Sequence, residues 1–297
     1  MKAVLSALFS LVIAGCAHTV NIPEQKTSIP ETKWTAERDV VFTPSDWPEP
    51  LRADVFLPES PGPHPAVLMV HGGGWNSFSR GGMETFADML ATHGFAVMNI
   101  DYRLAPDFHF PAQLHDLQQA MHWLHENAER LDIDVDRIGA FGYSAGAHLV
   151  SLLALVASEP DSELNSPYGG PETRLSAIVT GGTPSDLRKF GSEDPVRQFL
   201  GVTMEQEPSR YALASPVTHI SENAPPFFIF HGAWDAQVPK HHATDFQTAL
   251  AERGVQTEMY LLKFRGHALT FLINSGAMSA ALQFLERTLG RKDQNLN

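Results

Sequence analysis

Apolar and polar positions divide the chain into two kinds of segment. Short, nearly continuous apolar runs are typical of strands buried on both faces, and longer stretches with apolar residues every three or four positions are typical of helices. The strand candidates are 39–43, 52–57, 66–70, 96–100, 138–141, 177–180, 227–230 and 257–262. The helix candidates are 83–93, 111–128, 145–157, 241–253 and 276–289. Their alternation, after an antiparallel start, predicts a mostly parallel sheet of eight strands with helices on both faces.

Two glycine-rich runs carry the clearest chemical signal. Residues 71–75 read HGGGW after a strand candidate, and residues 142–146 read GYSAG between the candidate strand 138–141 and the candidate helix 145–157. A strand, a glycine-flanked serine and a helix in this order are typical of a nucleophile elbow, a strained turn that only small neighbours permit. The first run supplies backbone N–H groups for an oxyanion. Together the two runs indicate acyl transfer at Ser144.

A nucleophilic serine needs a histidine base and an acid that orients it, and in enzymes with this elbow both follow the serine in the chain. Asp235 comes just after the strand candidate 227–230, and His267 comes just after the next one, 257–262. Both therefore belong to loops at the carboxyl end of a sheet, where such sites are built. We predict Asp235 as the acid and His267 as the base. The rival acid is Asp186.

The motifs together resemble those of α/β-hydrolases of the esterase branch, which includes the hormone-sensitive-lipase-like carboxylesterases. The similarity is greater to the bifunctional acetylxylan/feruloyl esterases. It extends over about residues 34–289 and rests on HGGGW, DYRLAP at 101–106, FPAQ at 110–113, DRIG at 136–139, GYSAG followed by His148 and Leu149, ASP at 214–216, HGAWD at 231–235, VP at 238–239 and GH at 266–267. One departure is that 34–65 reads as two strands with proline-rich turns, whereas the lipase-like branch carries a helical cap before HGGG. This favours the carbohydrate-esterase side.

The resemblance implies roles for individual residues. It makes Ser144, Asp235 and His267 a catalytic triad, and it makes the amides of Gly73, Gly74 and Ala145 the oxyanion hole. Trp75 and Trp234 flank these positions, so they are candidate substrate-binding residues, with core packing as the alternative for both. The expected function is a serine carboxylesterase for short-chain acyl esters, including acetylated or feruloylated carbohydrates. The expected substrate-pocket walls are 158–174 and 184–224, which are rich in proline, glycine and charged residues.

Two other functions stay open. The first is an arylformamidase or related amidase, since that family also uses an HGGxW run. The second, from another class, is a catalytically inactive binding lipoprotein on a hydrolase fold. An inactive relative normally lacks a member of the triad or of the oxyanion hole, and none is missing from this sequence.

The N-terminal segment predicts where the protein works. Met1 and Lys2 precede the mostly apolar stretch 3–13, and small residues lead to Cys16, the single cysteine. The stretch is shorter than the roughly 20 apolar residues of a transmembrane helix. The pattern resembles a bacterial lipoprotein signal at 1–15, with cleavage before Cys16 and lipid on its sulfur. A plain secretory signal and an uncleaved anchor are the alternatives.

The remaining chain divides simply. Residues 16–33 are polar, contain Pro23 and Pro30 and predict a flexible tether, and 34–297 form one α/β-hydrolase catalytic domain. We therefore expect an exported lipoprotein, anchored on the periplasmic or cell-surface side of a membrane.

Charge and composition mainly exclude functions. A net charge of −13 leaves no basic surface for nucleic acid and disfavours strongly anionic substrates. The single cysteine excludes an intramolecular disulfide. The fourteen histidines include a possible helix face (His115, His122, His125) and the pair His241–His242, but neither comes with a recognised metal-ligand spacing. We expect no metal and no cofactor.

Overall fold

The computed structural model describes residues 17–24 and 29–290. The predicted signal segment 1–15 and the predicted lipid-attachment residue Cys16 lie outside the described residues. Expectations about cleavage and lipidation therefore stay predictions.

Nine strands form a single sheet in the described part of the chain. They are β1 (Ala17–Val20), β2 (Trp34–Val41), β3 (Arg52–Pro58), β4 (His64–Val70), β5 (Ala96–Ile100), β6 (Ile133–Tyr143), β7 (Ile178–Gly181), β8 (Phe227–Gly232) and β9 (Thr257–Leu262). Their order is β1-β9-β8-β7-β6-β4-β5-β3-β2. The six strands from β9 to β5 are mutually parallel, while β1, β3 and β2 pair antiparallel with their neighbours. The predicted α/β-hydrolase fold is confirmed, with nine strands instead of eight.

Eight α-helices connect and flank the strands in the same described residues. They are α1 (Glu84–Thr92), α2 (Ala112–Glu126), α3 (Ala145–Ala157), α4 (Asp194–Leu200), α5 (Pro208–Leu213), α6 (His241–Glu252), α7 (His267–Leu272) and α8 (Ser275–Leu289). Short 3₁₀ helices occupy Arg80–Met83, Glu163–Asn165, Pro171–Thr173, Leu187–Phe190 and Pro216–His219. The five helices expected from apolar periodicity are all present.

The core has two layers because side chains alternate across each strand. In β4, Val67 and Met69 pack with α1 and α8, whereas Leu68 and Val70 pack with α2, α3 and α6 on the other face. Helix α3 is buried along its whole length, as its uninterrupted run of small and apolar residues requires. Helices therefore cover both faces, and the carboxyl ends of the parallel strands form one edge that is free for a site.

The ninth strand corrects part of the predicted tether. Residues 17–20 are not a free linker but pair antiparallel with β9, from Ala17 opposite Leu262 to Val20 opposite Met259. The side chain of Asn21 extends the contact by donating to the carbonyl of Thr257 at 3.1 Å. Such a short, polar strand needs only backbone hydrogen bonds and one apolar contact, supplied by Val20, so its sequence carries little periodic signal.

The region before β4 contains the two expected strands, β2 and β3, rather than a helical cap.

None of the helices within 17–24 and 29–290 is both long enough and apolar enough to cross a membrane.

Candidate active site

The nucleophile elbow is formed where β6 ends and α3 begins. Ser144 lies between them with φ 54° and ψ −120°, a left-handed conformation that costs a non-glycine residue roughly 1–3 kcal/mol. Its flanks are tightly packed against other backbone. A Cβ on Gly142 would lie 2.4 Å from the carbonyl carbon of Gly146, and one on Gly146 would lie 2.1 Å from the carbonyl oxygen of Val70. Glycine is therefore required at both positions.

The loop after β4 carries the predicted oxyanion amides. Gly73 has φ 112°, and its carbonyl accepts hydrogen bonds from the Asn76 amide at 3.1 Å and the Ser77 hydroxyl at 2.7 Å. The amides of Gly73, Gly74 and Ala145 donate to no other group among the described residues. Three donors without an acceptor next to Ser144 are what an oxyanion hole requires.

Three side chains from three loops meet in one hydrogen-bonded relay. The Nε2 atom of His267 lies 2.9 Å from the Ser144 hydroxyl, and its Nδ1 atom lies 2.6 Å from the carboxylate of Asp235. His267 is also held by its backbone, because the Tyr143 hydroxyl donates to its carbonyl at 2.6 Å. The geometry is that of a nucleophile, a base and an orienting acid.

The environment of Asp235 keeps its carboxyl group ionised. Its second oxygen accepts the amides of Gln237 at 3.0 Å and Val238 at 2.8 Å. Burial opposes ionisation, but the His267 hydrogen bond and charge and the Val238 amide outweigh it and lower the pKa of Asp235. The carboxylate is therefore available to accept the Nδ1–H of His267 across the neutral pH range.

The rival acid, Asp186, serves another purpose. It begins the 3₁₀ helix Leu187–Phe190, where its carboxylate accepts the amide of Arg188 at 3.2 Å and pairs with the guanidinium group of the same residue at 2.8 Å. It makes no contact with His267. The structure thus brings Asp235, and not Asp186, to the predicted base.

Trp75, predicted as a substrate-binding candidate, is buried, with only 3% of its surface exposed, and it does not line the cavity. Its ring stacks on Phe199 at 4.7 Å, and its Nε1–H donates to Nδ1 of His148 at 3.2 Å. His148 in turn donates from Nε2 to the carbonyl of Ala214 at 2.7 Å, which fixes its tautomer. Burial lowers the pKa of His148 to about 4, so the ring is neutral.

This contact ties the oxyanion loop to the nucleophile helix. Trp75 directly follows Gly74, while His148 lies in α3 and donates its amide to the carbonyl of Ser144 at 3.0 Å. The alternative weighed from the sequence, core packing, therefore holds for Trp75. His148 was visible in the sequence only as a motif residue, because nothing local shows which ring it contacts.

A cavity of about 580 Å³ opens beside the Ser144 hydroxyl. It lies between the oxyanion loop and α7, and its walls are mainly apolar. The lining includes His71, Phe78, Met83, Tyr143, Ser144, Gln237, His267, Phe271 and Leu272. Phe78, Gln237 and Leu272 carry no motif signal, since only the fold brings their loops together.

The expected pocket walls and the second tryptophan are placed elsewhere. No residue of 158–174 or 184–224 lines this cavity. The first segment packs on α2, where Gln118 donates to the carbonyl of Leu164 at 2.9 Å, and the second supports Trp75 through Phe199. Trp234 is also absent from the lining; it is 66% exposed and packs edge-on against Phe264 at 4.9 Å. The side-chain directions that decide these placements follow from long-range packing, not from local composition.

The histidine groups do not assemble a metal site. Across residues 17–24 and 29–290, no three His, Cys, Asp or Glu side chains converge as metal ligands. His122 instead contacts the carbonyl of Tyr168 at 2.8 Å, and His242 stacks on Phe190 at 4.6 Å. These are packing and hydrogen-bonding roles.

A nucleophile elbow, an amide-lined loop and a serine–histidine–aspartate relay on this sheet define an α/β-hydrolase. The chain belongs to the BD-FAE family, whose model matches residues 53–250.

Named relatives agree with this assignment. Esterase LipC of Mycobacterium tuberculosis is 31% identical over 195 residues, which cover 62% of this chain and 47% of the relative. The probable carboxylic ester hydrolase LipM of the same organism is 31% identical over 238 residues, 75% of this chain and 54% of the relative. This chain therefore spans about half the length of these two curated relatives. Among solved structures, a bifunctional GH43-CE protein of Bacteroides eggerthii has a TM-score of 0.77 and 26% identity, covering 86% of this chain and 35% of that one.

The Trp75 contact generates a first prediction. Trp75→Phe keeps a ring against Phe199 but removes the donor to His148, so the oxyanion loop loses its fixed position. We expect kcat for an activated ester to fall about tenfold with little change in KM, because the amides act on the transition state. Trp123→Phe, in α2, is the matched control. Unchanged kcat in Trp75→Phe would show that the contact does not position the loop.

The lowered pKa of Asp235 generates a second prediction. An aspartate in an unfolded chain titrates near pH 3.9. Because the folded-state value is lower, the stability that ionised Asp235 contributes is present above about pH 4 and is lost as the pH falls through the folded value. Urea unfolding should therefore show that the native chain's free energy of unfolding, relative to Asp235→Asn, declines from about pH 5 to pH 2. A pH-independent difference would contradict the lowered pKa.

Proposed function

We propose that the chain is a serine carboxylesterase that hydrolyses short-chain acyl esters through an acyl-enzyme on Ser144. The observation that carries the proposal is the relay itself: 2.9 Å from serine to histidine and 2.6 Å from histidine to aspartate, beside a cavity and three unpartnered amides. The cavity volume lies within the range of about 300–1,000 Å³ common to small-molecule sites.

The proposed reaction uses each group in turn. His267 Nε2 takes the Ser144 proton as the hydroxyl oxygen bonds to the ester carbonyl carbon, and the amides of Gly73, Gly74 and Ala145 hold the resulting oxyanion. Collapse breaks the bond to the alcohol oxygen, which leaves with the proton from His267. Water then gives a proton to His267 and attacks the acyl carbon, and Ser144 regains its proton as the acid departs.

The relatives support ester hydrolysis over the two alternatives. LipC and LipM are named as an esterase and a probable carboxylic ester hydrolase. The inactive-lipoprotein alternative is disfavoured because the triad and the amides are all present and assembled. Formamide hydrolysis has no comparable support, and an assay with N-formylkynurenine beside the ester panel tests it directly.

For the alcohol part of the substrate we propose an acetylated or feruloylated carbohydrate. The support is the resemblance of the motifs to carbohydrate esterases, together with the fold shared with the GH43-CE protein of Bacteroides eggerthii. Gln237 is an exposed polar side chain that lines the mainly apolar cavity and is suited to hydrogen-bond a hydroxyl group.

For localisation we propose a lipid anchor on Cys16, with the catalytic domain exported. The support is the sequence pattern of residues 1–16 alone. Because paired residues begin at Ala17, in β1, the proposed anchor joins the domain without a long linker.

Removing the nucleophile gives the direct test of the mechanism. Ser144→Ala should lower kcat for p-nitrophenyl acetate by about 10³-fold or more, since only the amides and substrate binding remain. Purified Ser144→Ala protein with near-native activity would refute the assignment.

The choice of acid is tested by a matched pair of variants. Asp235→Asn should cripple turnover because His267 loses the partner that sets its tautomer, whereas Asp186→Asn should leave most activity, since that residue contacts Arg188 instead. The reverse ranking would move the acid to Asp186.

Acyl-chain length tests the substrate class. No helical cap precedes β4, so methylenes beyond the cavity stay in water and gain none of the about 0.8 kcal/mol that each buried CH₂ contributes. Acetyl to butyryl esters should therefore show much higher kcat/KM than esters of about twelve carbons, measured below the micelle-forming concentration. A maximum at long chains would overturn the short-chain proposal.

The anchor is tested by fractionation. Native protein should partition with membranes, and Cys16→Ser should be released because the sulfur that carries the lipid is gone. A soluble native protein whose mature N-terminus is not Cys16 would refute the anchor without affecting the enzymology.

A further inference from the structure

Exposed apolar side chains concentrate at the edge of the sheet that carries Ser144. Of the eight large apolar residues that are exposed in the described part of the chain, six lie in the segments that follow β4, β8 and β9: Phe78, Trp234, Phe264, Leu269, Leu272 and Ile273, here called the apolar rim. The exposure is large, at 78% for Phe78 and 72% for Leu272. Trp234 and Phe264 are in contact, and Leu269, Leu272 and Ile273 are close together on and just after α7. Apolar residues exposed in groups mark an interaction surface rather than chance exposure.

The rim belongs to one edge of the sheet. Its loops follow the carboxyl ends of β4, β8 and β9, so all three face the same side as Ser144. Phe78, after β4, and Leu272, in α7, both line the cavity, and Trp234 contacts Phe264. Whatever covers the rim therefore faces the cavity mouth.

The charge of these loops is opposite to that of the whole chain. Within 76–83, 233–240 and 263–275 the only acid is Asp235, which is buried in the relay. Lys240, Lys263 and Arg265 form no ion pair with any described residue, whereas Arg80 is paired with acidic side chains. In a chain of net charge −13, a locally basic apolar surface fits an anionic partner with an apolar interior.

The chain enters the described fold at the same edge. Because β1 is antiparallel to β9, its first residue, Ala17, pairs with Leu262, the last residue of β9 and only two positions before Phe264. A group attached just before Ala17 therefore emerges beside the rim. An anchor attached far from this edge of the sheet would not determine how the rim is oriented relative to a membrane.

We propose that the apolar rim rests on the surface of an anionic lipid bilayer, with the cavity mouth facing the membrane. The proposal rests on the lipid anchor of the proposed function. Trp234 and Phe264 lie at the interface, where aromatic rings are favoured, and the three unpaired cations contact acidic headgroups.

The single native cysteine makes orientation measurable. In membrane-anchored protein the lipid occupies Cys16, so Leu272→Cys and the control Val135→Cys, at the opposite end of β6, each offer one thiol for a fluorescent label. Vesicles contain phosphatidylethanolamine and phosphatidylglycerol. A nitroxide lipid should quench the label on Leu272→Cys at least about threefold more than the label on Val135→Cys, and aqueous iodide should show the reverse preference.

Three other results of this experiment would contradict either the docking of the rim or the lipid anchor. Equal iodide quenching at both positions would overturn the proposed docking. Protection of the Leu272→Cys label from iodide without quenching by the nitroxide lipid would also overturn it, because this result indicates that a second copy of the chain covers the rim. Labelling of the unsubstituted protein at Cys16 would instead refute the anchor.

The rim can also be tested without the anchor. In a Cys16→Ser background it should still give weak, salt-sensitive binding to the same vesicles, which Leu272→Glu abolishes and Val135→Glu does not. Equal vesicle binding by the Leu272→Glu and Val135→Glu variants would overturn the proposed role of the rim. Absence of vesicle binding by the Cys16→Ser protein itself would also overturn it.

Discussion

The left-handed backbone of Ser144 is the constraint on which the site depends. It is possible because Gly142 and Gly146 have no side chains, so the end of β6, the first turn of α3 and the end of β4 approach to backbone contact. A methyl group at either glycine would separate these elements. The hydroxyl would then no longer lie within hydrogen-bond distance of His267. The strain at Ser144 persists because buried packing on both sides of the sheet over-determines it.

The second half of the site is held by a different kind of contact. The glycines of the oxyanion loop have no side chains to pack. The residue after them, Trp75, fixes the loop because its buried ring lies between Phe199 and His148. The segment after β5 adds to this support, since the amide of Ala105 donates to the carbonyl of Trp75 at 2.9 Å. That segment is itself braced by the buried ion pair of Arg103 and Asp116, at 2.7 Å. The amides are thus arranged before any substrate arrives, which is the condition under which they contribute most to catalysis.

Sequence patterns predicted the parts of the fold that are set locally. Parallel strands are buried on both faces and so read as apolar runs, and this placed Asp235 and His267 at the correct edge of the sheet. The strand β1 escaped prediction because an edge strand of four residues shows no such run. Neither Trp75 nor Trp234 lines the cavity, for a related reason: proximity in sequence to a catalytic residue does not determine which way a ring points. The oxyanion loop and α7 together form the walls of the cavity. These two segments are almost two hundred residues apart in the sequence, so no local pattern could predict that they meet.

The most direct test of the central claim, that Ser144 carries a covalent acyl group, is mass spectrometry of protein quenched in acid during turnover of p-nitrophenyl butyrate. The account predicts a mass increase of one butyryl group, located by peptide mapping on the segment that contains Ser144 and absent from Ser144→Ala protein. Butyryl transfer to another residue, or turnover at a native rate with no adduct even at the shortest quench times and with a slow-deacylating ester, would contradict it.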